Sequence, residues 1–125
     1  MNNKQDIKLF IEDLRRELPR SSEQADKLMH QRGFDKNDSC HLWIEAFADV
    51  TNILIAARNS EEATKHFSFF SQQYQKGSDE VKNCIDVGYV ENLFFDLPDD
   101  DRKWAWKLLP DDLKSIYADM WGELE

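Results

Sequence analysis

Residues 39–58 carry apolar side chains on too many sides for a helix with a single dry face. Leu42, Trp43, Ala46, Phe47, Val50, Ile53, Leu54 and Ala57 recur at helical spacing, and Ile44, Ala48 and Ile55 extend the stripe around the cylinder. Such a helix must be covered from more than one direction. The remainder of the chain therefore has to pack around it.

The other periodic segments are helical too. Ile7, Phe10, Ile11, Leu14 and Leu18 predict an amphipathic helix over residues 4–18, stopped at Pro19 because proline disfavours helical geometry in the residue before it. Ser21 and Gln24 stand at capping-box spacing for a second, short helix that Gly33 closes. Asn37 or Asp38 is the expected cap of the central helix. Ser60 is the expected cap of a fourth, with Ala63, Phe67, Phe70 and Tyr74 inward and Gly77 at its end. The stretch "CIDVGYV" within residues 79–95 is β-branched, yet no second strand candidate exists to pair with it. A lone strand would leave backbone groups unsatisfied, so this segment reads as a buried helix in which Gly88 admits a close neighbour. Residues 99–108 and 110–122 complete the set.

The fold class is accordingly all-α: one domain over residues 1–125, a compact bundle of about seven helices with short connections and antiparallel neighbours. Stacked helix pairs are the alternative arrangement, although no repeat of 30–45 residues is evident. At 125 residues with 41% hydrophobic content the chain can bury a core without staples, and disorder is not expected. Two cysteines, Cys40 and Cys84, make no disulfide framework. The charged amino terminus is no secretory signal, and no apolar run reaches membrane-spanning length, so a cytoplasmic location with reduced thiols is expected.

Charge is distributed unevenly. Residues 1–78 hold 12 acids and 11 bases, whereas residues 79–125 hold 13 acids and 5 bases, so nearly all of the net charge of −9 sits in the last third. A field of that sign repels phosphate backbones and attracts cationic partners. Nucleic acid and membrane are therefore not expected as partners.

No motif for catalysis is present. His30, His41 and His66 lie in no HExxH arrangement, and adjacent Cys40 and His41 point about 100° apart on a helix. A site assembled from Cys40, His66 and Cys84 is the metal alternative; buried thiols and boundary or surface histidines are the simpler reading. There is no GxSxG and no glycine-rich phosphate loop, and neighbouring acids such as Glu61 and Glu62 do not converge as hydrolase carboxylates do. The expectation is a protein that is not an enzyme and needs no cofactor or metal.

The carboxy-terminal third carries the remaining signal. Leu-Pro-Asp-Asp occurs twice, twelve residues apart, at Leu97–Asp100 and Leu109–Asp112. Proline pre-sets a first helical turn and aspartates favour the cap, which accounts for most of this pattern. It does not account for four charges, Asp96, Asp99, Asp100 and Asp101, within six residues. Trp104, Ala105, Leu108 and Leu109 form an inward face, and Trp106, about 200° from Trp104, falls off it. Two readings of Trp106 stand: exposed beside the aspartates, or packed under the last helix. An aromatic residue inside a charged rim is the composition of a binding hot spot. The candidate partner-binding set is therefore Asp96, Asp99, Asp100, Asp101, Trp106, Asp111 and Asp112. Leu113, Ile116, Tyr117, Met120 and Leu124 read as core.

The segments "SDEVKNCIDVGYVENLFFDLP" and "LLPDDLKSIYADMW" resemble a group of small helical bacterial proteins, some of which are immunity proteins encoded beside polymorphic or contact-dependent inhibition toxins. The resemblance covers residues 37–121, and its motifs are structural, so no active site is carried over. It implies a binding protein that neutralises a cognate toxin; many such toxins are nucleases with cationic clefts. A monomer or weak dimer is expected. The alternative is a helical adaptor or regulator that binds some other basic protein.

Overall fold

A computed structural model describes residues 3–35 and 39–122. Among these, seven α-helices and no strand are present: α1 (Asn3–Glu17), α2 (Pro19–Gln31), α3 (Cys40–Ala56), α4 (Ser60–Lys76), α5 (Asp79–Cys84), α6 (Asp99–Trp106) and α7 (Asp111–Trp121). The all-α bundle expected from periodicity is what forms.

Helix α3 is central. Trp43, Ile44, Ala46, Phe47, Ala48, Val50, Thr51, Asn52 and Ile55 are all buried on it, against α2 on one side and the α4 and α5 region on the other. The aromatic centre of the core is Phe47, with Trp43, Phe70 and Tyr89 around it, and Tyr89 stacks on Phe70 at 3.6 Å between ring centroids. Phe10 of α1 closes the cluster against Phe69 and Phe70. Arg15 ties α1 to α2 through Asp26 at 2.8 Å, and the same carboxylate accepts the Trp43 indole N–H at 2.8 Å.

Several local expectations need correction. Ser39, and not the two residues before it, caps α3 by accepting from the Leu42 N–H; positions 37 and 38 lie outside the described residues. Asn59 caps α4, with Ser60 already helical. Helix α2 starts at Pro19, so Ser21 sits inside the helix and points into the core. Ile53 is 57% exposed and Met120 37% exposed, so neither is core, and Leu124 lies outside the described residues. His66 is fully buried and not a surface group.

The largest departure concerns residues 79–95, which do not form one helix. Helix α5 widens into a π-helical turn at Ile85–Tyr89, tightens into a 3₁₀ turn at Val90–Asn92 and ends there. Gly88 in the π turn meets α3 as the sequence implied: a Cβ there would lie 3.0 Å from Ile44 Cγ2. The chain enters α6 only after an irregular turn, and that turn shapes the acidic end of the molecule.

Candidate partner-binding surface

The turn over residues 93–97 is held in a conformation that its own residues disfavour. Phe94 and Asp96 have φ of 68° and 60°. Aspartate tolerates the left-handed region, but a bulky phenylalanine there is strained by about 1–3 kcal/mol. Two contacts hold it. The Phe94 ring is buried against Tyr117 at 5.1 Å, and Asn52 of α3 reaches the backbone. Asn52 Oδ1 accepts the Phe94 N–H at 2.8 Å while its Nδ2 donates to the Asn92 carbonyl at 3.0 Å.

The consequence is that the next side chain, Phe95, is turned outward and left 68% exposed. Trp121, at the end of α7, is 61% exposed. These two rings share one cavity of about 210 Å³, lined also by Glu91, Phe94, Arg102 and Tyr117. Burial pushes the Tyr117 hydroxyl upward in pKa, and the nearby Arg102 guanidinium pulls it back. Exposed aromatics on this scale, beside exposed acids, are uncommon on a surface with no partner.

Of the seven sequence-derived candidates, the six aspartates divide into two groups and Trp106 stands apart. Asp96, Asp99, Asp100 and Asp111 are exposed. Asp96 directly follows Phe95, and Asp99 and Asp100 occupy the first turn of α6. Asp101 instead pairs with Arg58 at 2.9 Å, and Arg58 lies over the Trp104 ring at 4.9 Å, which ties the end of α3 to α6. Asp112 accepts the Ser71 hydroxyl at 2.8 Å and a Gln75 amide N–H at 3.3 Å, which ties α7 to α4. These two carboxylates are already engaged within the fold. Trp106 is half-buried, edge-on to Tyr117 at 5.7 Å with Lys114 above it, so it packs on the last helix.

Both Leu-Pro-Asp-Asp segments adopt the same cap. Pro98 and Pro110 are extended at the N-cap position, with ψ of 157° and 155°, and the aspartates fill the first turn. Local structure explains the repeat. The large exposed aromatics nearby are Phe95 and Trp121, which periodicity missed. The signal for Phe95 was the "NLFFDLP" string itself: adjacent phenylalanines before a proline do not both continue a helix face.

A buried polar chain lies elsewhere. His66 Nε2 is 2.7 Å from Ser21 Oγ and His66 Nδ1 is 2.8 Å from Thr51 Oγ1, so a neutral ring donates to one hydroxyl and accepts from the other. The Tyr89 hydroxyl joins at 3.0 Å from Thr51. The Ser21–His66 distance suits a nucleophile and its base, but Ser21 is only 7% exposed and His66 is sealed against Phe47. Burial holds the His66 pKa down to about 4. The chain satisfies polar groups in the core.

Cys40 and Cys84 are free thiols, and burial together with neighbouring Cys40 pushes the Cys84 thiol up to about 12. Among the described residues no group of three His, Cys, Asp or Glu side chains is arranged to hold a metal ion, and no helix is long and apolar enough to cross a membrane. No curated protein and no solved structure matches the chain. Residues 11–122 match the model of a domain of unknown function, DUF7674, and the chain belongs to that family.

Proposed function

We propose that this protein acts by binding another protein, and that its carboxy-terminal acidic and aromatic edge takes a cationic partner. The observation that carries the reading is the outward pair Phe95 and Trp121 on one cavity, in the third of the chain that holds the charge excess. Large exposed aromatics supply anchor area, and a surrounding acidic rim steers a basic surface toward them. Asp96, Asp99, Asp100 and Asp111 are the free rim charges; Asp101 and Asp112 shape the scaffold under them.

The specific form we propose is immunity: neutralisation of a toxin domain whose basic cleft docks on this edge. The sequence resemblance supports that form, and neutralisation by binding asks no chemistry of the protein itself. The test is growth protection. Cells expressing a toxin domain encoded beside this gene should survive with the wild-type chain. They should lose protection with a Phe95→Ala/Trp121→Ala variant that retains its helical spectrum. Full protection by that variant would contradict the assigned surface. Binding of a basic partner without protection would assign the same surface to an adaptor.

A further inference from the structure

Arg102 is the one cationic side chain that lines the cavity under Phe95 and Trp121. Its Nε–H is buried and has no hydrogen-bond acceptor. The neighbouring acid does not supply one, because Asp101 is committed to Arg58. Glu91 lines the same cavity but is exposed at its edge and forms no ion pair with Arg102 among the described residues. Buried donors in folded proteins are nearly always paired, and this Nε–H, on a side chain that lines the cavity, is short of an acceptor. The walls around it are flat and apolar: Phe94, Phe95, Tyr117 and Trp121.

We propose that this cavity is a binding site for a carboxylate carried on a flat apolar group, with Arg102 as its anion-binding residue. Guanidinium and carboxylate match in geometry and charge, and the aromatic walls accept the group that bears the acid. A single cation beside exposed Glu91 suits a monoanion and disfavours a phosphate, whose second charge meets the acidic field of this third of the chain. The volume, about 210 Å³, lies below the roughly 300–1,000 Å³ of drug-sized pockets, so the ligand is one ring or one terminal residue in size. This goes beyond the surface reading above and does not rest on it, since the ligand here is anionic and the site can be probed in the isolated protein.

The experiment is a titration of the full chain, labelled with ¹⁵N, followed at the Arg102 Nε–H and Trp121 indole N–H resonances. The probes are phenylacetate, phenylacetamide, inorganic phosphate, and a short peptide ending in phenylalanine with either a free or an amidated terminus. Phenylacetate should shift both resonances and bind about tenfold more tightly than the amide. Arg102→Gln should abolish that preference, and Trp121→Ala, at an exposed helix end, should weaken acid and amide alike without disturbing the fold. If Arg102→Gln does not fold, the acid-to-amide ratio on the wild type decides alone. A free-terminus peptide that binds more tightly than phenylacetate names a protein terminus as the source of the carboxylate; the reverse order names a small acid, and either upholds the site. Equal binding of acid and amide, equal shifts with phosphate, or no shift at Arg102 overturns it.

Discussion

Asn52 reaches across from the central helix and fixes the backbone of Phe94, accepting its N–H at 2.8 Å from a position 42 residues earlier in the chain. The same amide donates to the Asn92 carbonyl, so one side chain holds both sides of a strained turn. Fold and surface meet at this point, because the turn it maintains is what exposes Phe95.

Asn52→Ala should therefore do two things. It leaves a buried N–H and a half-buried carbonyl without their Asn52 partner, a cost of about 2 kcal/mol measured by urea unfolding. It should also change the environment of Phe95 and Trp121 in the folded state, seen as altered Trp121 fluorescence at low denaturant. A variant with full stability would show that the Phe94 conformation needs no brace.

Stability should fall as the medium turns acidic. Burial holds the His66 pKa at about 4 in the folded protein, below the ordinary imidazole value of 6.5. Above pH 6.5 the ring is neutral in both states. Between pH 6.5 and 4 the unfolded chain takes up a proton that the folded chain does not, so stability is lost as pH falls through that window, by about 3 kcal/mol in all. His66→Gln should be less stable at pH 7.5 yet show a shallower fall between pH 6.5 and 4. Parallel curves for the two proteins would remove His66 as the cause.

Gly77→Ala should destabilise the junction of α4 and α5. An added Cβ would stand 2.6 Å from the Gln73 carbonyl oxygen and 2.8 Å from Val81 Cγ1, and the backbone atom cannot rotate away. The glycine's φ of −76° is open to any residue, so the effect is steric alone. A loss of about 2 kcal/mol in urea unfolding is expected. An unchanged midpoint would mean that the junction opens freely.

The aspartates should separate into two classes by stability. Asp112→Ala takes from the buried Ser71 hydroxyl its carboxylate acceptor, with the Gln75 amide N–H still donating to it at 3.4 Å, and should cost about 1–2 kcal/mol. Asp99→Asn with Asp100→Asn removes exposed charges whose crowding opposes their favourable place at the start of α6, and should change stability by less than about 1 kcal/mol. If the pair destabilised the protein as much as Asp112→Ala, the division into rim and scaffold would be wrong.

The helices, the aromatic core and the Leu-Pro-Asp-Asp caps were legible in the sequence because periodicity and capping are local. What was not legible depends on distant partners. His66 looked like a boundary residue until Ser21 and Thr51 bonded both ring nitrogens. Trp106 falls off its own helix stripe, yet Tyr117 of the next helix covers one face. Phe95 belongs to a segment with helical spacing, and its exposure follows from a left-handed Phe94 that only Asn52 and Tyr117 make tolerable.

The most direct test of the account is the binding kinetics of the proposed partner, a cationic toxin domain, measured with the wild type and two folded variants. Asp99→Asn/Asp100→Asn should slow association, with the defect shrinking as salt rises, because screening already weakens the wild type. Phe95→Ala/Trp121→Ala should leave association nearly unchanged and speed dissociation at least about thirtyfold, from about 2 kcal/mol or more of lost anchor contact. Association and dissociation rates equal to wild type in both variants would place the partner on another face and contradict the proposal.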